Sequence, residues 1–461
     1  MEKDSHALKT DLYEFTMAAG YFQNNFSPQA TFELYCHTLP ANRSFLISCG
    51  QQLAIDYILG LRFSKEDISY LRKLRVFKNI DPAFFRYLEG FKFSGNVWAL
   101  PEGEICFAND PILQVQAPII EAQVLETYLL SLMNIQTLVA TKAARVVQAA
   151  TSDGKLRGVI DFGSRRAHGP EAGVLAARAA YIGGCTGTSN VYAGREYDIP
   201  VFGTMAHSWI QAFDNEQTAF EKYYEIFPDN SILLVDTYDT IKGVQRVANF
   251  SKRIQGIRID SGDLIASSKK ARKILDARGM KDTKIIVSGN LNEYLIKDMV
   301  RARAPVDLFG VGTEMVTSRD EPALDLTYKL VQIIEKDGTV MNKSKNSQGK
   351  QTVPGAKQVY RRYTSKGKMK EDIIGLVSDA DPKGTQPLLQ PEVRKGKKVA
   401  KQLPIESIRE KVIKGLSQLP KGHLNFVDIA TYKVNYSKAA LAGKTKISTI
   451  TQKYKHGGNN G

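Results

Sequence analysis

Seven short segments of this chain gather arginines, carboxylates, hydroxyls, glycines and histidines in a set suited to handling a phosphorylated sugar. They are Asp161-Phe162-Gly163-Ser164-Arg165-Arg166 with His168, Thr186-Gly187-Thr188-Ser189-Asn190, Thr204-Met205-Ala206-His207-Ser208, Asp236-Thr237-Tyr238-Asp239, Arg258-Ile259-Asp260-Ser261-Gly262-Asp263, Ser288-Gly289-Asn290 and Gly310-Val311-Gly312-Thr313. Arginine forks grip phosphate oxygens in pairs. Glycine-rich turns ahead of helices offer backbone N–H groups to phosphate. Gly310, Gly312 and Thr313 read as one such turn, and Ser288 with Gly289 as another. The carboxylates of Asp260 and Asp263 are suited to hold Mg2+ through water, as Mg2+ is often held on phosphate substrates. Taken singly, an Asp or Ser after a strand is commonly a helix cap and a glycine there a turn. The argument rests on seven such segments coinciding. No GxxxxGK[ST] loop is present, so a nucleotide would bind by other means.

Each segment follows a short apolar run. The runs are Gly158–Phe162, a weaker one near Gly184–Gly187, Val201–Thr204, Ile232–Asp236, Ile257–Asp260, Ile285–Ser288 and Leu308–Val311. Helical spacing lies between them at Glu171–Tyr181, Glu216–Ile226, Ile241–Phe250, Leu264–Arg278 and Glu293–Val300. Strands alternating with helices imply right-handed βαβ units and a parallel sheet. The regular spacing predicts a closed or nearly closed β/α barrel of six to seven strands, with a doubly wound open sheet as the alternative. In either, loops at the carboxyl ends of the strands converge, and the seven segments share one mouth.

The first third mixes a helix over Asp11 to Phe22, a strand over Ala30–His37, strand-like Gly103–Gln116 and helical spacing over Ile119–Met133. After Thr313 the rhythm changes. Thr327–Ile334 and Gln358–Tyr363 read as strands around a polar loop, Asp337–Lys357, and residues 376–400 read as a linker rich in Pro, Gly and Lys. The organisation expected is an N-terminal α/β domain over 1–140 completed by about 327–375, a barrel over 141–326, and a basic segment over 376–461.

The net charge of +15 is uneven: residues 391–461 carry 15 Lys and Arg against four Asp and Glu, leaving +4 for the other 390 residues. A basic segment invites comparison with nucleic-acid or membrane binding. Here the lysines alternate with Ile405, Ile408, Val412, Ile413, Leu416, Phe426 and Val427, which reads as a folded segment and not as a nucleic-acid arm. No run approaches the ~18 apolar residues that span a bilayer. The charged opening stretch lacks the apolar core of a secretion signal, so a cytoplasmic protein is expected. The spacing of Cys36, Cys49, Cys106 and Cys185 fits neither a zinc site nor a redox pair.

Lys9-Thr10-Asp11-Leu12-Tyr13-Glu14, the segment from Asp161 to His168, Gly203 to Ser208, Arg258 to Asp263, Gly310 to Thr313, and the loop Lys350-Gln351-Thr352-Val353-Pro354-Gly355-Ala356-Lys357 occur in an order that resembles the nicotinate phosphoribosyltransferases. The likeness runs from about residue 6 to at least 435. It implies an irregular β/α barrel packed against a mixed α/β domain from the N- and C-terminal segments. It also implies an ATP-coupled reaction of nicotinate with phosphoribosyl pyrophosphate, giving nicotinate mononucleotide for NAD synthesis.

By position, the resemblance implies that ATP phosphorylates His207, that Asp260 lies with Arg165 around the ribose phosphate, and that Tyr13, Thr204 and Arg258 contact nicotinate; His207, Arg258 and Asp260 are the expected catalytic residues. Phe162 would stack on the pyridine, and Arg165 would sit by the base and ribose phosphate. Gly310, Gly312 and Thr313 would form the phosphate-binding turn; Ser288 and Gly289, read from their own turn, are expected to join them on the phosphoribosyl group, with Mg2+ as cofactor. Nicotinamide-using relatives place an Asp where this chain has Ser189; an uncharged residue there admits the carboxylate of nicotinate. Tyr13 would come from the neighbouring subunit of a homodimer with shared active sites. No cysteine follows Cys185, so the zinc cluster of some relatives is not expected. The competing readings are a nicotinamide phosphoribosyltransferase and a non-catalytic phosphate- or RNA-binding barrel.

Overall fold

A computed structural model describes residues 6–250, 253–347 and 350–443. The chain forms two compact units. One comprises Met1–Thr137, Leu324–Pro404 and Ile413–Gly461; the other comprises Leu138–Ala323 with Ile405–Val412.

The first unit is built on a seven-stranded sheet. Its order is Val340–Asn342, Leu326–Ile334, Gln29–Cys36, Pro111–Pro118, Asn96–Ala99, Gln390–Arg394 and Lys397–Lys398. Every neighbouring pair is antiparallel. Gln29–Cys36 is central, with only its first residue exposed, and the Phe32 ring stacks on Tyr328 at 4.9 Å. A four-stranded sheet, Thr385–Pro387, Lys357–Tyr363, Met369–Leu376 and Val434–Tyr436, completes the unit. The fully buried Arg361 joins it to Glu104 and the start of the strand Ile105–Cys106. Its guanidinium donates to both Asp372 oxygens at 2.9 and 2.7 Å, to Glu104 at 2.7 Å and to the Ile105 carbonyl at 2.8 Å. A buried cation is tolerated only when paired and hydrogen-bonded in this way.

Two expectations from sequence give way here. Residues 376–400 are not a linker: Thr385–Pro387 pairs with Tyr360–Arg362, and Gln390–Arg394 pairs with Val97–Ala99. Only Val393 of that second strand is buried, so its composition gave no apolar signal. The helical stretch from Ile119 breaks after Gln123 and resumes as Glu126–Ala150, 17 residues beyond the expected end at Met133.

In the second unit six parallel strands lie in the order Gly187–Thr188, Gly158–Asp161, Leu308–Val311, Lys284–Val287, Gly256–Ile259 and Ile232–Leu234. The first strand in sequence pairs with the last, Gly158–Asp161 with Leu308–Val311, which closes the ring on that side. The expected third strand survives as one bridge, Val201 to Thr188. The barrel is therefore irregular, open between Val201 and Ile232, where the Asn230 amide donates to the Gly203 carbonyl at 2.9 Å. The strands are short and buried, which is why they read as apolar runs. Among the described residues no helix is long and apolar enough to cross a membrane.

The loops after Lys284–Val287 and Leu308–Val311, the sixth and seventh strands when the single bridge at Val201 is counted as the third, are tied together below the surface. Lys142, fully buried, bridges Glu293 at 2.5 Å and Asp320 at 2.8 Å, and Arg145 Nε donates to Glu293 at 3.1 Å. Glu293 opens the helix after the sixth strand, and Asp320 follows the seventh. Replacing Lys142 by Met leaves two carboxylates facing one cation. Removing one partner of a buried pair costs about 3–5 kcal/mol. Urea unfolding of Lys142→Met is expected to show a loss of that order, and a loss under about 1 kcal/mol would refute the role given to this lysine.

Candidate active site

The carboxyl end of the first barrel strand is Asp161, whose side chain is 2 % exposed. Its Oδ1 accepts the Gly163 N–H at 2.8 Å and its Oδ2 accepts the Thr188 hydroxyl at 2.7 Å. Its carbonyl accepts the Ser189 N–H at 2.8 Å. One residue thus fixes both the loop carrying Phe162 and Arg165 and the loop carrying Ser189. Asn190 adds a second tie, its amide donating to Ser164 Oγ at 3.0 Å while its Oδ1 caps the helix Val191–Tyr197. Burial pushes the Asp161 carboxyl above the usual range, and the bonds from Thr188 and Gly163 oppose that shift.

Phe162 stands on Gly310. A Cβ at Gly310 would lie 2.5 Å from the ring atoms Cδ2 and Cε2, so only glycine leaves room for the ring. Gly310 is a residue of the strand Leu308–Val311, paired with Ile160, so it lies in a strand and not in a turn, and it makes room for the Phe162 ring. Gly312 and Thr313 do form the turn that starts the short helix Thr313–Val316. Gly289 adopts φ +93°, and a Cβ there would collide with the Asp260 carbonyl oxygen. Arg165 is exposed in a single turn of 3-10 helix, Ser164–Arg166.

A second cluster spans the third to sixth strand ends. Asp236 Oδ2 accepts the Asp260 N–H at 2.9 Å and the Ser261 hydroxyl at 2.7 Å. Asp260 Oδ1 accepts the Ser288 hydroxyl, and its Oδ2 lies 3.9 Å from His207 Nε2. His207 Nδ1 is 3.1 Å from Thr237 Oγ1. The Arg258 guanidinium donates to the Met205 carbonyl at 3.0 Å. Burial lowers its pKa, Asp260 and Asp236 act against that, and Arg165 adds to it.

Three polar atoms of this cluster, Arg258 Nε, Thr204 Oγ1 and Asp236 Oδ1, are buried with no hydrogen-bond partner among the described residues. Native proteins seldom leave such groups unsatisfied. The two donors suit a ligand's oxygens, and Asp236 with Asp260 offers the hard oxygen ligands that Mg2+ accepts alongside water and phosphate. Asp263 caps the helix Leu264–Ala277, its Oδ1 accepting the Ala266 N–H at 2.9 Å. Among the described residues no group of three or more His, Cys, Asp or Glu is arranged to hold a metal.

Tyr13 belongs to the first unit, on the helix Leu12–Gln23. It is 43 % exposed and is flanked by exposed Leu12 and Met17, so it is not a core residue of that unit. Its hydroxyl is pushed up to about 12 by burial of its polar end and by Glu126. Asp161, Thr188, Asp236 and Thr237 join the site although sequence alone did not separate them from ordinary caps and turns.

Comparison with known proteins supplies the family. Residues 8–134, 158–372 and 379–443 match, in turn, the models described as the nicotinate phosphoribosyltransferase N-terminal domain, the nicotinate phosphoribosyltransferase family and its C-terminal domain. A nicotinate phosphoribosyltransferase (pncB2) of Mycobacterium tuberculosis is 42 % identical over 421 residues, covering 90 % of this chain and 88 % of that one. The chain belongs to the nicotinate phosphoribosyltransferase family. The Bacillus subtilis nicotinate phosphoribosyltransferase is 43 % identical over 368 residues, covering 78 % of this chain and 73 % of its own. The crystal structure of human nicotinic acid phosphoribosyltransferase superposes with a TM-score of 0.82 at 26 % identity, over 95 % of this chain and 99 % of that one.

The seat under Phe162 gives a test within this family. Gly310→Ala is expected to tilt the ring and to raise KM for the aromatic substrate by about tenfold, the equivalent of one aromatic stacking contact. The melting temperature should fall little if the ring moves. An unchanged KM in a folded variant would show that Phe162 does not stack on substrate.

Proposed function

We propose that this chain transfers the phosphoribosyl group of phosphoribosyl pyrophosphate to the ring nitrogen of nicotinate, with ATP consumed through a phosphohistidine at His207. The observation that carries the reading is the pair of buried, unpartnered donors at Arg258 and Thr204, set among strand ends that also present a seated aromatic ring and a histidine. An anionic ligand satisfies both donors, and an aromatic one stacks on Phe162. Ser189, held in place through its backbone to Asp161, puts no charge beside the substrate's carboxylate. That favours nicotinate over nicotinamide.

The pyridine nitrogen attacks the anomeric carbon, the bond from that carbon to the pyrophosphate oxygen breaks, and pyrophosphate leaves with the electron pair. The nitrogen is a nucleophile already, so the protein needs no strong base. Its contribution is alignment by Phe162 and stabilisation of the departing charge by Arg165, Ser288 and the Gly312–Thr313 turn. Asp236 and Asp260 would hold Mg2+, which when bound supplies positive charge to the pyrophosphate. Asp263 serves as a helix cap in this reading. The product, nicotinate mononucleotide, feeds NAD synthesis, and we place the enzyme in the cytoplasm.

His207→Asn is expected to abolish ATP hydrolysis and labelling of the protein from the γ-phosphate, while some ATP-independent synthesis survives because the transfer itself passes through no phosphohistidine. Label persisting on another histidine, His168 first among them, would remove His207 from this role.

We further propose a homodimer in which Tyr13 of one subunit completes the other's site. Its exposure beside Leu12 and Met17 supports this. Stacking on both faces of the base would contribute on the order of 0.5–1.5 kcal/mol per ring. Two-fold pairing is the commonest way to share sites. Inactive Tyr13→Ala and inactive Arg258→Ala chains, refolded together, are expected to regain part of the activity, since some mixed dimers hold one intact site. If Tyr13 serves its own chain, each mixed dimer keeps a defect in both sites and no activity returns.

A further inference from the structure

The two ring nitrogens of His207 have different surroundings. Nδ1 lies 3.1 Å from Thr237 Oγ1, within hydrogen-bond distance. Nε2 is 3.9 Å from Asp260 Oδ2, beyond it. An imidazole attacks through a nitrogen that bears a lone pair and no proton, and the other nitrogen's hydrogen bond decides which one that is. A hydroxyl oxygen at Nδ1 can accept a hydrogen bond from Nδ1–H, the tautomer that leaves Nε2 bare.

Both partners of this contact are held by the fold. Thr237 follows Asp236, whose carboxylate is fixed by the Asp260 N–H and the Ser261 hydroxyl. His207 opens the helix His207–Gln211, which Trp209 anchors by donating from Nε1 to the Ala219 carbonyl at 3.0 Å. Trp209 also meets Phe213 and Tyr223 as an aromatic cluster. Branching at Cβ restricts Thr237 to few rotamers, so its hydroxyl is pre-set against the ring.

We propose that Thr237 is a positioning residue that keeps the His207 proton on Nδ1 and thereby makes Nε2 the atom that receives the phosphoryl group. The inference rests on the phosphohistidine reading of His207. In the step, the Nε2 lone pair forms a bond to the γ-phosphorus of ATP. The bond from that phosphorus to the bridging oxygen breaks, and ADP departs with the electron pair. The ring gains positive charge as the bond forms, and the Thr237 oxygen facing Nδ1–H stabilises it. Water then displaces the phosphoryl group as inorganic phosphate, one water proton leaving with the solvent, and the neutral ring returns with its Nδ1 proton in place.

The test uses the full chain and ATP labelled at the γ-phosphorus. Thr237→Val keeps the shape and removes the hydroxyl; Thr237→Ala and Thr237→Ser accompany it. Val and Ala are expected to slow labelling by about 10- to 100-fold, the range seen when the outer partner of a metal-bound histidine is lost. KM for ATP should change little, and Ser should recover most of the rate. Phosphorus NMR of the labelled protein should place the phosphoryl group on Nε2. Val or Ala labelling at the wild-type rate, or a phosphoryl group on Nδ1, overturns the proposal. Should Val misfold, the Ala and Ser pair carries the comparison. A wild-type chain that takes no label on histidine defeats the phosphohistidine reading and this proposal together. Labelling that is lost in His207→Asn but undisturbed at Thr237 defeats this proposal alone.

Discussion

Burying the carboxylate of Asp161 at the end of the first barrel strand forces the protein to supply it with donors, and those donors are the loops of the site. An unsatisfied buried carboxylate costs several kcal/mol, so the Gly163 N–H and the Thr188 hydroxyl have little freedom to move away. The loop that presents Phe162 therefore leaves the strand in a fixed direction. The loop that presents Ser189 is locked to it through Thr188 and through the Asp161 carbonyl. A barrel whose third strand is one bridge wide has few sheet hydrogen bonds on that side to do this work. Side-chain bonds at the strand ends take over the positioning that a longer sheet would provide.

The other half of the site follows a similar rule with the opposite emphasis. Asp236 spends one oxygen on the Asp260 N–H and the Ser261 hydroxyl and leaves the other buried without a protein partner. Arg258 spends one nitrogen on the Met205 carbonyl and leaves Nε unpartnered. Each residue is thus anchored by one end and available by the other. A buried polar group of this kind gains a hydrogen bond when a ligand reaches it. Groups anchored by one end and aimed by the other are preorganised for a ligand's polar atoms.

How much of this was legible in the sequence depends on whether the signal was local. The parallel strands were legible because both faces are buried and each reads as a short apolar run before a cap. The third was overestimated: Val201–Thr204 has a strand's composition, but only Val201 finds a partner. The strands in 376–400 were hidden because they pair through backbone with Val97–Ala99 and Tyr360–Arg362, far away in sequence, and expose most side chains. Phe162, Arg258, Asp260 and His207 were singled out through their places at strand ends and through a family resemblance. Asp161, Thr188 and Thr237 were present in the same segments, yet what distinguishes them is a hydrogen bond to a particular partner, which spacing does not reveal. The cap that Asp263 makes on its own helix is likewise a bond to one particular partner.

The glycines of the site carry a related lesson about close approach. Gly310 and Gly289 were both read as phosphate turns, and both have a nearer reason to lack a side chain. At Gly310 the space a Cβ would fill belongs to the Phe162 ring, and at Gly289 it belongs to the carbonyl of Asp260. Gly289 also needs its positive φ, which side chains disfavour. These two contacts join the two clusters. The seventh strand seats Phe162 beside Ser288, the Ser288 hydroxyl bonds Asp260, and Gly289 packs on the same residue. The ring that would stack on the base and the carboxylate that faces His207 are therefore set by adjacent strands at one layer of the barrel. A displacement at Gly310 or Gly289 would alter the spacing between base and phosphoryl chemistry, and no single loop could correct it.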